Sequence, residues 1–244
     1  MLGLALVMSP IADLQAAELR VIAGGSMTGS LNELGPQFER ASGHKLVIHF
    51  DSTPNIIARV TSGTPFDLAV VPVDVFRDAA AKARFVSGPT IDIARVGYGV
   101  IVRAGAAKPD ISTPDALKKT LLDAPSVAFV PASAAGAYVL KVFDRLGIAE
   151  AMKAKTRPQP TPADIAPAVA RGEAELGIAQ GSEIVPVAGA QVVGPLPGDL
   201  ASTSVFAAAI GAASKSPEAA NSLIKFLTGP EAAPRLKAKG FEPG

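Results

Sequence analysis

Three times along this chain an apolar run suited to a buried strand stops in a turn of small or hydroxyl residues and passes directly into a helical pattern. In the first case Leu19, Val21, Ile22 and Ala23 make the strand, and Gly24 and Gly25 let the backbone turn tightly or approach a neighbour closely. Met27, Leu31, Leu34 and Phe38 then repeat at helical spacing, which puts Ser26 at or beside a helix N-cap. Unpaired backbone N–H groups point outward there and the helix dipole favours negative charge, so the turn has the form of an anion cradle, with a plain helix cap as the alternative role for Ser26. In the second case residues 45–50 (KLVIHF) run into Asp51, Ser52, Thr53 and Pro54, the proline suiting the first turn of a helix that carries Ile56, Ile57 and Val60 and ends near Gly63. In the third, residues 126–130 (SVAFV) lead through Pro131, Ala132, Ser133, Ala134, Ala135 and Gly136 into a helix with Tyr138, Val142, Phe143 and Leu146 on one face and Gly147 as its stop.

The alternation continues elsewhere. Residues 66–71 (FDLAVV) form a strand closed by Pro72, and a helix is expected over 75–85. Thr113 and Pro114 open a helix through Leu122, Thr161 and Pro162 open one that Gly172 ends, and residues 175–180 (ELGIAQ) form a strand leading into Gly181, Ser182 and Glu183. Two structural helices close the chain, opened by Ser216-Pro217 and by Pro230 and stopped by Gly229 and Gly240. Strand-helix-strand order of this kind gives an α/β fold, a mostly parallel sheet with helices on both faces, whose ligands bind beyond the carboxyl ends of the strands. Ser26 and Ser52 then share one rim. The run 91–102 (IDIARVGYGVIV) outlasts a single small sheet, and 204–210 (SVFAAAI) suits a return path, so two lobes joined by two crossing segments are expected.

Composition narrows the function. At 244 residues and 48% hydrophobic content the chain can bury a sizeable core and fold unaided, as one large domain or two lobes of about 100 residues each. A net charge of +1 with no basic run gives no case for a nucleic-acid partner, and two Tyr with no Trp leave few stacking platforms. The absence of Cys, with only two His, excludes thiolate metal sites, a disulfide framework and a cysteine nucleophile; no metal and no cofactor are expected. GGSMTG is not a phosphate-binding P-loop, since no Gly-Lys-Ser/Thr follows. At the N-terminus the apolar run 2–8 (LGLALVM), Ser9-Pro10 and the small pair Ala16 and Ala17 follow the order of a signal-peptide core, breaker and cleavage region, although no Lys or Arg precedes Arg20. The run is too short to span a bilayer, so residues 1–17 read as a signal peptide and the mature chain as periplasmic.

The stretches VIAGGSMTGSLNELGPQFERASGHKL, FDSTPNIIARVTSGTPFDLAVV, VGYGVIV, ARGEAELGIAQ and SPEAANSLIKFLTGPEAAPRLKAKGFEP together resemble the extracytoplasmic solute-binding proteins of molybdate/tungstate ABC importers. The resemblance covers nearly the whole mature chain. It implies a type II periplasmic-binding-protein fold, two α/β lobes that close like a hinge on a ligand in the cleft between them, with 18–98 plus 202–244 in one lobe and 99–201 in the other. It implies a monomer that captures a small anion for an ABC-transporter permease. Carried across by position, the ligand contacts fall on Ser26 and Met27, on Ser52 and Thr53, and on the turn and helix start at Ser133, Gly136, Ala137 and Tyr138. Gln180 stands where those proteins carry a tyrosine, and an oxyanion or organic carboxylate is the favoured ligand. Neutral donors of this kind surround an anion in a dry cleft without burying an unpaired cation.

Several of these residues have a structural role as the alternative. His44 and His49 suit hydrogen-bonded structural positions, Tyr138 is equally placed for core or pocket, and Arg59 and Arg95 suit surface salt bridges as well as carboxylate clamps. Glu183 is expected as an exposed carboxylate on a helix start, with the cleft as its other location. Aconitate isomerase resembles the same binding proteins, so the alternative function is isomerisation of an unsaturated carboxylic acid. His49 or Glu183 would then be the base, while Ser26, Ser52 and an arginine hold the carboxylates.

Overall fold

The computed structural model describes residues 16–184 and 187–244. Residues 1–15 of the expected signal peptide lie outside the described part. The chain runs β1 (Glu18–Gly24), a 3-10 turn (Gly25–Met27), α1 (Thr28–Ser42), β2 (Lys45–Asp51), α2 (Thr53–Thr61), β3 (Leu68–Pro72), a second 3-10 turn (Val73–Arg77), α3 (Ala79–Lys82) and β4 (Ile91–Arg103). It continues with α4 (Pro114–Asp123), β5 (Val127–Phe129), α5 (Ala134–Arg145), α6 (Ala149–Lys155), β6 (Thr156–Pro158), α7 (Ile165–Arg171), β7 (Leu176–Gln180), α8 (Gly181–Ile184) and β8 (Ala190–Pro195). β9 (Thr203–Ile210), α9 (Pro217–Leu227), α10 (Ala232–Ala238) and β10 (Glu242–Pro243) complete it.

Two sheets share one strand. β2, β1, β3, β9 and β4 lie side by side in the first, with β10 against β4, and β4, β7, β5 and β6 in the second, with β8 against β4. Every pairing of β4 and the β3 to β9 pairing are antiparallel, so the sheets are mixed and not mostly parallel as expected. The 13-residue β4 changes partner midway: its first half, through Gly97 opposite Thr203, pairs with β9, and from Tyr98 opposite Gln180 it pairs with β7. Each sheet buries apolar side chains on both faces. In the first, Val21, Ala23, Val70 and Phe206 pack under α1, α9 and α10, while Ile22, Ala69 and Val71 pack under α2. In the second, Val100, Phe129 and Ile178 pack under α4, α5 and α6, while Ile101, Ala128 and Ala179 pack under α7. This is the arrangement that near-continuous apolar strands require.

Most of the expected elements form. The expected helix over 75–85 does not: a 3-10 turn ends at Arg77, and Asp78, in an extended conformation, starts a new short helix by accepting the Ala81 N–H. The cap resets the chain where apolar spacing alone suggested continuity. α6 and the short β6 that borders β5 fall between Gly147 and Thr161, where no element was expected. Among the described residues no helix is long and apolar enough to cross a membrane.

Candidate functional site

β1 and β2 are parallel and end level, Gly24 opposite Asp51, so Ser26 and Ser52 follow the carboxyl ends of adjacent strands on one rim. A side chain at Gly24 would meet the Phe206 ring at 2.7 Å, which explains the glycine in the turn. Ser26 lies inside the 3-10 turn and does not cap α1, whose N-cap is Met27. Its hydroxyl instead donates to Glu183 Oε1 at 2.8 Å, reaching from the first sheet's rim to α8 of the second. The alternative plain-cap role is thereby set aside, because α1 begins two residues after the serine. Met27 is fully buried in the core under α1, so only its backbone faces the turn.

At the second turn Ser52 is exposed and its hydroxyl makes no capping bond. The start of α2 is served by Asp51, whose Oδ1 accepts the Ser52 N–H at 2.8 Å and Asn55 Nδ2 at 2.7 Å, with His49 Nε2 3.3 Å from Oδ2. Burial pushes the Asp51 carboxyl upward, but the Asn55, Ser52 and His49 hydrogen bonds outweigh it and hold the pKa below the usual range. Thr53 opens the helix beside it. His49 is thus engaged with Asp51, and among the described residues no hydrogen bond joins it to Glu183. His44 takes its structural role, its Nδ1 accepting the Ala17 N–H at 3.1 Å, and Arg95 takes the surface one, pairing with Asp92 at 2.8 Å. Arg59 sits in the last turn of α2, away from the start of that helix.

The third turn behaves differently. Ser133 Oγ accepts the Gly136 N–H at 2.9 Å and donates to the Val130 carbonyl at 2.8 Å, so its hydroxyl is committed to capping α5. A Cβ at Gly136 would lie 1.8 Å from that carbonyl, which forbids any side chain. The Ala137 N–H already bonds the Ser133 carbonyl in the helix. Tyr138 packs against the core, donates its hydroxyl to the Leu200 carbonyl at 2.9 Å and stacks on Tyr98 with ring centres 4.9 Å apart.

Gln180, at the end of β7, is 5% exposed and sits where the two sheets meet. Its Nε2 donates to Ser204 Oγ at 2.8 Å and lies 3.5 Å from the Tyr98 hydroxyl, joining both crossing strands; its Oε1 is buried without a partner. Burial pushes the Tyr98 phenol up.

Glu183 follows immediately. Oε2 accepts the Gln180 N–H at 3.2 Å while Oε1 accepts from Ser26. The residue keeps some surface exposed, but the carboxylate is set deep enough that burial raises its pKa to about 6, the two neutral donors only partly opposing the shift. It lines a cavity of ≈ 10 Å³ with Ser133, Ala135 and Gly136. That is room for about one water molecule. The expected exposed carboxylate is corrected: the start of α8 lies so close to the end of α10 that a Cβ on Gly181 would come within 3.0 Å of the Gly240 carbonyl, and the Glu183 side chain is directed to Ser26 and the Gln180 N–H. The structure therefore gathers Ser26, Ser133, Gly136 and Glu183, and leaves Ser52, Thr53 and His49 with Asp51 farther along the rim. Tyr98, Ser204 and Asp51 were not foreseen; the Gly-Ser-Glu that follows ELGIAQ was the available sign of a fourth strand-to-turn junction. Among the described residues no group of three or more His, Asp or Glu could hold a metal ion.

The model of the bacterial extracellular solute-binding protein family matches residues 19–242. The chain belongs to that family. Among curated relatives of this solute-binding protein, an aconitate isomerase of a Pseudomonas species is 33% identical over 92% of this chain and 87% of its own length. The molybdate-binding protein of Azotobacter vinelandii is 30% identical over 93% and 90%. Among solved structures, the substrate-binding domain of a putative molybdenum ABC transporter from Clostridium difficile covers 94% of this chain and 100% of its own, with a TM-score of 0.76 at 18% identity. The solute-binding protein thus has the two-lobed α/β fold of type II periplasmic-binding proteins.

Proposed function

We propose that this solute-binding protein captures a small anion, an oxyanion or an organic carboxylate, between its lobes and delivers it to an ABC-importer permease. One observation carries the ligand class: the Ser26 hydroxyl and the Gln180 N–H already hold a carboxylate, that of Glu183, at 2.8 and 3.2 Å. Neutral donors placed to hold one carboxylate are chemically competent to hold another. The change of β4 partners at Gly97 and Tyr98 supports lobes of 18–98 plus 202–244 and 99–201, with the hinge at the Tyr98, Gln180 and Ser204 cluster. Opening there would enlarge a cavity now too small for a ligand. A periplasmic location, entry through residues 1–17 as a signal peptide and a monomeric state complete the proposal. Thermal melts with molybdate, tungstate, sulfate, phosphate and small carboxylates test it: a ligand at about 100 times its Kd raises stability by about 2.7 kcal/mol. A melting curve unmoved by every anion refutes the proposal.

Glu183 also favours a second reading, isomerisation of an unsaturated carboxylic acid. A carboxylate with its pKa raised to about 6 inside a cleft is suited to take and return a proton near neutral pH. His49 is the weaker base for this chemistry because it is turned to Asp51. Incubation with cis- or trans-aconitate, followed for interconversion in wild type and Glu183→Gln, decides it; absence of turnover in wild type removes the enzyme role for that substrate.

A further inference from the structure

A negative side chain at the centre of an anion site sets a condition on what can enter. Glu183 Oε1 and Oε2 accept from Ser26 Oγ and the Gln180 N–H, so the carboxylate stands on the donors that the anion-capture proposal assigns to the ligand. Among the described residues no Lys, Arg or His lies within ion-pair distance of it. α8 packs against β4, β7, β8, α7 and the first 3-10 turn. Of the charged groups on these, Arg95 pairs with Asp92, Arg171 with Glu173, and Arg103 lies against Gly172. β7, β8 and the turn carry none. Tyr98, the remaining titratable group, is a neutral phenol hydrogen-bonded toward Ser204 and Gln180, with its pKa pushed up. Lys239, next to the Gly240 carbonyl that seats α8, pairs with Glu33. Among the described residues no cation therefore offsets its charge. Two nearby residues add to this excess of unmatched oxygen: Gln180 Oε1 and Ser182 Oγ are both buried without a hydrogen-bond partner. Buried acceptors of this kind call for a donor.

Resting on the anion-capture proposal, we propose that Glu183 is a specificity-determining residue: it selects anions that carry a hydrogen-bond donor, such as a protonated oxygen or a hydroxyl group, and admits fully deprotonated oxyanions only together with a proton. A donor-bearing anion gives its hydrogen to the carboxylate and keeps its charged oxygens for Ser26 and the Gln180 N–H, which turn to it from Glu183. A bare dianion meets the ionised carboxylate with no hydrogen between them, and like charges in a dry cleft do not both persist. Protonation reverses the contact, because a neutral Glu183 donates to the anion. Burial raises the Glu183 pKa to about 6, so that neutral form becomes populated as pH falls below that value.

The test is calorimetric titration of wild type and Glu183→Gln with two matched pairs, sulfate against phosphate and succinate against malate. Sulfate is also titrated at about pH 5 and about pH 8, a range over which it keeps both charges and only the protein titrates. Glutamine keeps the shape and an acceptor for Ser26 while removing the charge, and thermal melts establish that the variant is folded. For wild type at about pH 8, the donor-bearing member of a pair binds at least about tenfold tighter than its partner, and sulfate affinity rises at least about tenfold on going to about pH 5. Glu183→Gln abolishes both differences. Sulfate binding to wild type that matches phosphate and ignores pH overturns the inference while leaving anion capture standing, and so does a preference that survives in Glu183→Gln. If folded wild type and variant bind none of the four probes at either pH, the inference falls, and anion capture falls with it when molybdate and tungstate also leave the melting curve unmoved.

Discussion

The turns at Ser26 and Ser133 look alike as sequence, each a strand, a few small residues, a serine and a helix, yet the fold uses the two hydroxyls in opposite ways. Ser133 is a true N-cap in extended conformation, and its hydroxyl is closed onto Gly136 and Val130 within its own turn. Ser26 sits inside a 3-10 turn ahead of α1, where Thr28 supplies the local bond by donating to the Gly25 carbonyl at 2.6 Å. That substitution leaves Ser26 to reach a residue 157 positions away, Glu183 in α8. A serine stabilises its own helix or contacts a neighbouring element, depending on whether the helix start needs it.

Four measurements sharpen or break this contrast. The largest effect is expected at the glycines: Gly136→Ala places a Cβ against the Val130 carbonyl and costs about 3 kcal/mol or more in a denaturant melt. Gly25→Ala, whose Cβ meets Asp51 only at 3.6 Å, is tolerated. Equal losses at both would show the two turns to be equally tight. Next, Ser26→Ala weakens anion binding by about 1.5–3 kcal/mol, the range for a hydrogen bond to a charged group. A lower melting temperature with unchanged affinity would return Ser26 to a structural role.

The third measurement is pH dependence. Glu183 has a folded-state pKa near 6, above the usual 4.5, so the folded chain binds its proton more tightly than the unfolded chain does. Its contribution to stability is complete below the unfolded pKa and is lost as pH rises through about 6, a change of about 2 kcal/mol that Glu183→Gln removes. Asp67 runs the other way. Burial acts against its charge, but the Arg20 backbone N–H, Ser214 and the Arg20 guanidinium together outweigh it and lower the pKa. Its contribution is present above the usual carboxylate range and lost on acidification. The two carboxylates differ because one has three donors, one of them a cation, and the other has two neutral donors. The smallest effect is Ser133→Ala, expected to cost about 1 kcal/mol of stability as a lost helix cap; a loss confined to ligand affinity would contradict the capping geometry.

Much of this was legible in the residue order. Apolar runs, prolines after Thr113 and Ser52, and glycines such as Gly43 and Gly172 at positive φ mark where strands and helices begin and end, because periodicity and capping depend on near neighbours. The same signals put Ser26 and Ser52 on one rim and fixed the α/β class. They failed at residues 75–85, where the Asp78 cap interrupts a helical pattern, and between Gly147 and Thr161, where α6 and β6 lack strong punctuation.

What the sequence determined by itself was the set of rim turns, and with it the candidate donors Ser26, Ser52 and Ser133. Only the tertiary structure decided which donor is free and what it faces. Those outcomes hang on β4 passing from one sheet to the other and on Gly181 packing against Gly240, contacts between segments far apart in the chain. Burial of the Glu183 carboxylate is likewise a property of the closed packing, since desolvation is set by everything that surrounds a group and not by its neighbours in sequence.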